Sequence, residues 1–213
     1  MLVELSHPIS EGRGAFPGLP PPHIGPILDH ETSRDRYEGK AEFYLGRVEM
    51  STNTGTYLDS PFHRFRDRED VGAIPLEKVA ALPGVVVDAS AEPGPVEIEA
   101  GELEGRAVLV RTGRDERWPS DEYWAEGPHL GDRALAALLD GGAALVGVDF
   151  ANVDDVKDPS RPAHTRLLEA GVLIVENLTG LGPLPLDGFR FTAAPLAVVG
   201  AASFPVRAFA EIP

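Results

Sequence analysis

Apolar residues in this chain cluster in short compact runs. Residues 84–88 (Gly-Val-Val-Val-Asp), 107–111 (Ala-Val-Leu-Val-Arg), 145–149 (Leu-Val-Gly-Val-Asp) and 172–176 (Val-Leu-Ile-Val-Glu) are aliphatic or β-branched and follow or precede turn-forming residues. Such runs predict strands buried on both faces of a sheet. Between Lys40 and Met50 the pattern instead alternates through Phe43, Leu45 and Val48, the period of a half-buried strand. Helical spacing is clearest from Gly131 to Asp140, where Ala134, Leu135, Leu138 and Leu139 share one side with Leu130, and Gly141-Gly142 ends the run. Shorter helices are expected over Pro75–Ala81 and His164–Ala170, the second stopped by Gly171. Residues 191–212 hold apolar strand-like pieces broken by Pro195 and Pro205. Strands and helices mix without a regular βαβ rhythm, so the expected fold class is α/β on a mixed sheet. With 213 residues and no visible boundary, one domain over 1–213 is expected.

Composition narrows the picture. Asp and Glu number 34 against 19 Lys and Arg, a formal net charge of −15, which argues against nucleic acid or an anionic membrane as partner. There are no cysteines, so any metal must rest on His, Asp and Glu. The start, Met1-Leu-Val-Glu-Leu-Ser-His-Pro8, lacks the pattern of a signal peptide, and the expected location is the cytoplasm. Residues 6–26 are rich in Pro and Gly and are expected to form a lid or a subunit contact.

Two clusters carry candidate chemistry. In the run Asn53-Thr54-Gly55-Thr56-Tyr57-Leu58-Asp59-Ser60-Pro61-Phe62-His63, Asp59 and His63 flank Pro61, which predicts a stiff loop rather than a helix or central strand. A carboxylate and an imidazole so placed can bind a metal or move a proton. Gly55 would let the backbone approach a ligand. Equally, Asp59 could cap a turn and His63 could sit on the surface. The second cluster is His164 with Glu176, brought together if the intervening helix and strand fold back on each other. Glu176 closes an apolar run and needs either a cation or a salt bridge with Arg161, Arg166 or Arg207. His7, His23 and His30 are expected to be exposed loop residues, and His129 to lie in a turn. Trp118, Tyr123 and Trp124 form an aromatic patch suited to a pocket wall, a dimer seam or the core.

Taken together these pieces resemble the cyclase family, which includes bacterial kynurenine formamidase, an arylformamidase of tryptophan catabolism, and isatin hydrolase. That family carries a His-x-Gly-Thr-His-x-Asp-x-Pro-x-His run. Gly55, Thr56, Asp59, Pro61 and His63 match it, while Asn53 and Tyr57 stand where two histidines are usual. His164-Thr-Arg-Leu-Leu168 and Glu176-Asn-Leu178 are similar to its downstream motifs, as are Leu5-Ser-His-Pro-Ile9, Val110-Arg-Thr-Gly113, Val146-Gly-Val-Asp149 and Ala194-Pro-Leu196.

The resemblance implies a swivelling β/β/α fold and a metal-dependent hydrolase that opens an amide, formamide or lactam. It implies Asp59, His164 and Glu176 as ligands of one divalent metal, zinc or manganese, at the second site of the family's two-metal version, the first site being lost with the two histidines. It further implies His63 as general acid/base, with Asn53 or Tyr57 left to hydrogen-bond the developing oxyanion. A homodimer or homotetramer is the implied assembly. Two alternatives stand beside this reading: a metal-independent cyclase or dehydratase using His63 and Asp59, and a small-molecule binding protein that has lost catalysis.

Overall fold

A computed structural model describes residues 1–213. Nine strands form one mixed sheet. Its centre is four parallel strands, Leu82–Asp88, Ala107–Arg111, Leu145–Val148 and Leu173–Glu176, the four compact apolar runs of the sequence. Antiparallel strands extend it on both sides: Asp187–Thr192, Phe209–Glu211 and Leu2–Glu4 beyond Leu82–Asp88, and Tyr57–Asp59 then Ser203–Pro205 beyond Leu173–Glu176. Only Val206, Arg207 and Ala208 separate Ser203–Pro205 at one margin from Phe209–Glu211 near the other, so the sheet must curl.

Both faces of the central strands are covered, as their unbroken apolar runs require. Val108, Val110, Val146, Val148 and Ile174 pack beneath the helices Asp132–Asp140 and Pro162–Glu169. The alternate residues Leu109, Leu145, Leu173 and Val175 pack with Leu58, Phe189 and Phe191 on the opposite face. A separate two-stranded hairpin, His23–Leu28 with Leu45–Glu49, encloses the helix His30–Arg36 and leaves Ile27, Tyr44, Leu45 and Val48 exposed.

Several expectations change. Leu45–Glu49 is a strand, but every residue of it is exposed rather than half-buried. Pro75–Ala81 forms only a single 3₁₀ turn, Leu76–Lys78, with three residues too few to repay helix nucleation. Tyr57–Asp59, expected as loop, is a fully buried strand, and Pro61 begins a 3₁₀ turn to His63. Pro205 lies within a strand, tolerated because that strand is at the sheet margin. His129 sits in the strand Pro128–Leu130, paired with Gly94–Val96, and not in a turn.

Gly84 has a packing role. A Cβ there would lie 2.1 Å from the ring of Phe189, its partner across the antiparallel pair, and that ring is buried. Gly84→Ala should therefore destabilise the protein by about 1–3 kcal/mol. An unchanged urea midpoint would mean that the ring moves aside freely.

Candidate active site

The site forms where the parallel centre of the sheet meets its antiparallel flank. Tyr57–Asp59 pairs with Leu173–Glu176 so that Tyr57 lies opposite Glu176 and Asp59 opposite Ile174. This pairing brings together residues more than a hundred positions apart. The helix Pro162–Glu169 then lays His164 over the same end of the sheet.

Asp59 and His164 each use one polar atom on the protein and turn another toward a common point, to which Glu176 brings an oxygen that already accepts one hydrogen bond. Asp59 accepts the Ser203 hydroxyl at Oδ1, while its Oδ2 is buried without a hydrogen-bond partner. His164 is fixed by Asp154 Oδ2 at 2.6 Å from Nδ1, which leaves Nε2 3.6 Å from Asp59 Oδ2 and 3.6 Å from Glu176 Oε1. Glu176 accepts the Tyr57 hydroxyl at Oε2 and the Val153 N–H at Oε1 (2.8 Å). Donors each about 2.1 Å from a tetrahedral ion lie about 3.4 Å apart. The Asp59 Oδ2–His164 Nε2 and His164 Nε2–Glu176 Oε1 separations are close to that spacing, with Asp154 orienting the imidazole as outer carboxylates commonly do. By contrast, the cluster whose ligand atoms all lie within 4.8 Å of one another is Asp59, His63 and His164, so His63 competes with Glu176 for the third position. Its Nδ1, however, faces Ser203 Oγ at 3.2 Å and Asp59 Oδ1 at 3.5 Å.

Charge makes the same case. Asp59, Asp154, His164 and Glu176 all have buried side chains, three carboxylates to one imidazole, which is costly without a further cation. Burial opposes charge on His164, but the hydrogen bond to Asp154 and the nearby Asp59 and Glu176 carboxylates outweigh it and raise its pKa to about 10. Burial raises Glu176 to about 7 despite the opposing field of His164. It also drives Tyr57 well above the ordinary phenol range, with Glu176 adding to the effect. Tyr57 is therefore a neutral donor to Glu176 rather than a phenolate ligand. His63 is pulled below its ordinary value, mainly by burial and against the field of Asp59.

A cavity of about 160 Å³ opens onto these groups. Asn53, Tyr57, Asp59, His63, His164 and Glu176 all line it, so the structure brings together every candidate read from the sequence. Phe16 and Leu19 from the Pro-rich segment line it too, and Gly14 holds the loop below through the Gly55 N–H (2.9 Å). Gly55 serves a different purpose from the expected one. Its φ of 65° suits glycine, and a Cβ would meet Ile9 at 3.1 Å, so it admits a packed side chain.

The arginines considered as partners for Glu176 go elsewhere: Arg161 to Asp154, Arg166 to Asp132 and Arg207 to Glu4. His7 is not an exposed loop residue. It stacks on Trp118 at 4.3 Å, and burial lowers its pKa to about 4. Of the aromatic patch, Tyr123 is buried and donates to Asn177 Oδ1 (2.7 Å), while Asn177 in turn donates to the Gly55 carbonyl (2.8 Å). Asp154, Ser203 and Asn152 had no role in the sequence reading, and Arg161 figured there only as a possible partner of Glu176. Asp154 offered a faint signal, an acidic residue in the polar loop just before His164, whereas Ser203 offered none.

Comparison with known proteins agrees with this architecture. The Cyclase family model matches residues 3–155. Kynurenine formamidase of Salinibacter ruber is 33% identical over 97% of this chain and 95% of its own length, and that of Bacillus cereus is 30% identical with the same coverage. Among solved structures, isatin hydrolase A from Ralstonia solanacearum superposes with a TM-score of 0.85 at 24% identity, covering all of this chain and 92% of its own.

Proposed function

The chain belongs to the cyclase family, and from that premise we propose that it is a divalent-metal-dependent hydrolase cleaving the C–N bond of a small amide, formamide or lactam. The observation that carries this reading is the buried, partnerless Asp59 Oδ2 facing His164 Nε2, with Glu176 Oε1 at the same distance from that nitrogen. Asp59, His164 and Glu176 would hold the ion. Bound there, a divalent cation supplies a water of lowered pKa and polarises the substrate carbonyl.

The remaining work falls to the chain's own side chains. His63 is neutral near pH 7, its pKa being lowered, and its Nε2 has no protein partner. It can accept a proton as the nucleophile attacks and return it to the departing amine. Ser203 donates to Asp59 and meets His63 Nδ1, which fixes the imidazole relative to the carboxylate. Asn53 lines the cavity and can donate to the developing oxyanion. Tyr57 spends its proton on Glu176 and positions that carboxylate instead. Phe16 and Leu19 restrict water on the outer side.

The test is ion uptake followed by turnover. Protein stripped with a chelator should regain about one zinc or manganese per chain and, with it, hydrolysis of formanilide or a related amide. At about pH 8, below the value near 10 for His164 and above that near 7 for Glu176, the imidazole still carries its proton while the carboxylate has mostly lost its own. Ion binding should then release about one proton, read by calorimetry in buffers of different ionisation enthalpy. Chelator-resistant turnover would leave His63 and Asp59 as a metal-free acid/base pair. Ligand binding without turnover of any amide would point to a binding protein.

A further inference from the structure

Arg114 is only 2% exposed, yet its guanidinium meets backbone carbonyls and no carboxylate. Nη2 donates to the carbonyls of Glu122 (2.7 Å), Ala125 (3.1 Å) and Glu126 (3.1 Å), and Nη1 to that of Ala91 (3.3 Å). A buried guanidinium without a counter-ion is costly. What it holds is the stretch 121–126. The helix Asp121–Trp124 has four residues, too few to stand alone, and it ends on carbonyls that no further helical turn satisfies. Arg114 collects them. The stretch reaches the active-site cavity through Trp124, whose ring meets Phe16 edge-on at 5.8 Å (76°) and Trp118 at 5.1 Å. Phe16 lines that cavity from a Pro- and Gly-rich segment, and Trp124 is the aromatic ring packed against it. A second cavity of about 40 Å³ lies between, lined by Arg114, Trp124, Phe16 and Asn152, of which Phe16 and Asn152 also line the first. On its other side the stretch is tied by Tyr123 to Asn177, the neighbour of Glu176.

We propose that Arg114 is a positioning residue: by gathering the carbonyls of residues 122–126 it holds Trp124 against Phe16 and so sets the apolar wall of the cavity. The inference rests on the hydrolase reading of that cavity and adds a residue that acts on the ligand without touching it. Lysine would keep the charge but donate from one compact point, so it cannot span the same carbonyls.

The test is a double-mutant cycle on ligand affinity, which needs no turnover. Acetanilide is titrated calorimetrically into metal-loaded wild type, Arg114→Lys, Trp124→Leu and the double variant. Each single variant should weaken binding by about three- to tenfold, the worth of an aromatic pair, and the double variant should bind no more weakly than Trp124→Leu alone. Ion content should stay at the wild-type value. Acrylamide should quench the tryptophan fluorescence of Arg114→Lys more readily than that of wild type, because Trp118 and Trp124 are the chain's two tryptophans. Gly127→Ala replaces Arg114→Lys in the cycle if the lysine variant misfolds, since its Cβ would crowd the guanidinium at 3.3 Å with the arginine still in place. The proposal is overturned by unchanged affinity in the variant used, or by a double variant whose loss is the product of the single ones. Loss of the ion would also overturn it, since Arg114 would then act through Tyr123 and Asn177 on Glu176. So would a wild type that does not saturate up to about 10 mM, because the wall would then bind nothing. Failure to hydrolyse formanilide with the cycle intact would count against the hydrolase reading alone.

Discussion

His164→Ala should yield a protein that no longer retains a divalent ion and is less stable by about 3–5 kcal/mol, the cost typical of removing one partner from a buried ionic cluster. In the wild type this imidazole, only 3% exposed, lies between Asp154 on one side and Asp59 and Glu176 on the other. Without it three buried carboxylates face one another. The effect has a definite pH signature in metal-free protein. A folded pKa of about 10 lies above the ordinary 6.5, so the stabilisation is fully present below about 6.5 and is lost as pH rises through about 10. The gap between wild type and variant should therefore narrow from neutral toward alkaline pH. Urea unfolding at several pH values, with ion content measured on the same samples, provides the check. Equal midpoints and equal ion content would remove His164 from the centre of the site.

His63→Ala should act on rate. A positioned general acid/base contributes about 10²–10⁴-fold, and a loss of that size in kcat is expected while the fold and the ion content persist. The side chain is 31% exposed at the cavity mouth, so its removal should cost little stability. Ion content is the decisive companion measurement, because His63 lies close enough to Asp59 and His164 to serve as a ligand. A variant that loses its ion along with its activity would transfer His63 from proton transfer to metal binding. Undiminished turnover would exclude both roles.

The central sheet was legible in the sequence because three of its four parallel strands, Ala107–Arg111, Leu145–Val148 and Leu173–Glu176, are buried on both faces and appear as unbroken aliphatic runs, while Leu82–Asp88 shows the same β-branched run with Val85 and Val87 only half-buried. The helix Asp132–Asp140 was equally legible from its one apolar side. What escaped was short. Tyr57–Asp59 spans three residues between Gly55 and Pro61, too few to display a period of two, and its flanks read as a loop. His7 looked like any histidine in a Pro-rich segment, since only Trp118, far along the chain, makes it a stacked and half-buried ring.

The site divided along similar lines. Residues capable of binding a metal or carrying a proton stood out by type, and Asp59, His63, His164 and Glu176 do converge. The groups that orient them did not stand out. Asp154 is one acidic residue among 34 Asp and Glu, and Ser203 is an ordinary serine until the last part of the sheet sets it beside Asp59. Tyr57 as a donor to Glu176 could not be read without that geometry.

The marginal strand Ser203–Pro205 pairs with Tyr57–Asp59, and Phe209–Glu211 beyond it completes the far side of the same sheet. Because synthesis proceeds from the N-terminus, the ribosome makes Asp59 well before its Ser203 partner, 144 residues further on. A nascent chain can carry every candidate ligand and still have no ordered centre. An ordered centre therefore waits for residue 203 and the strand around it, after the last candidate ligand, Glu176, has already been made.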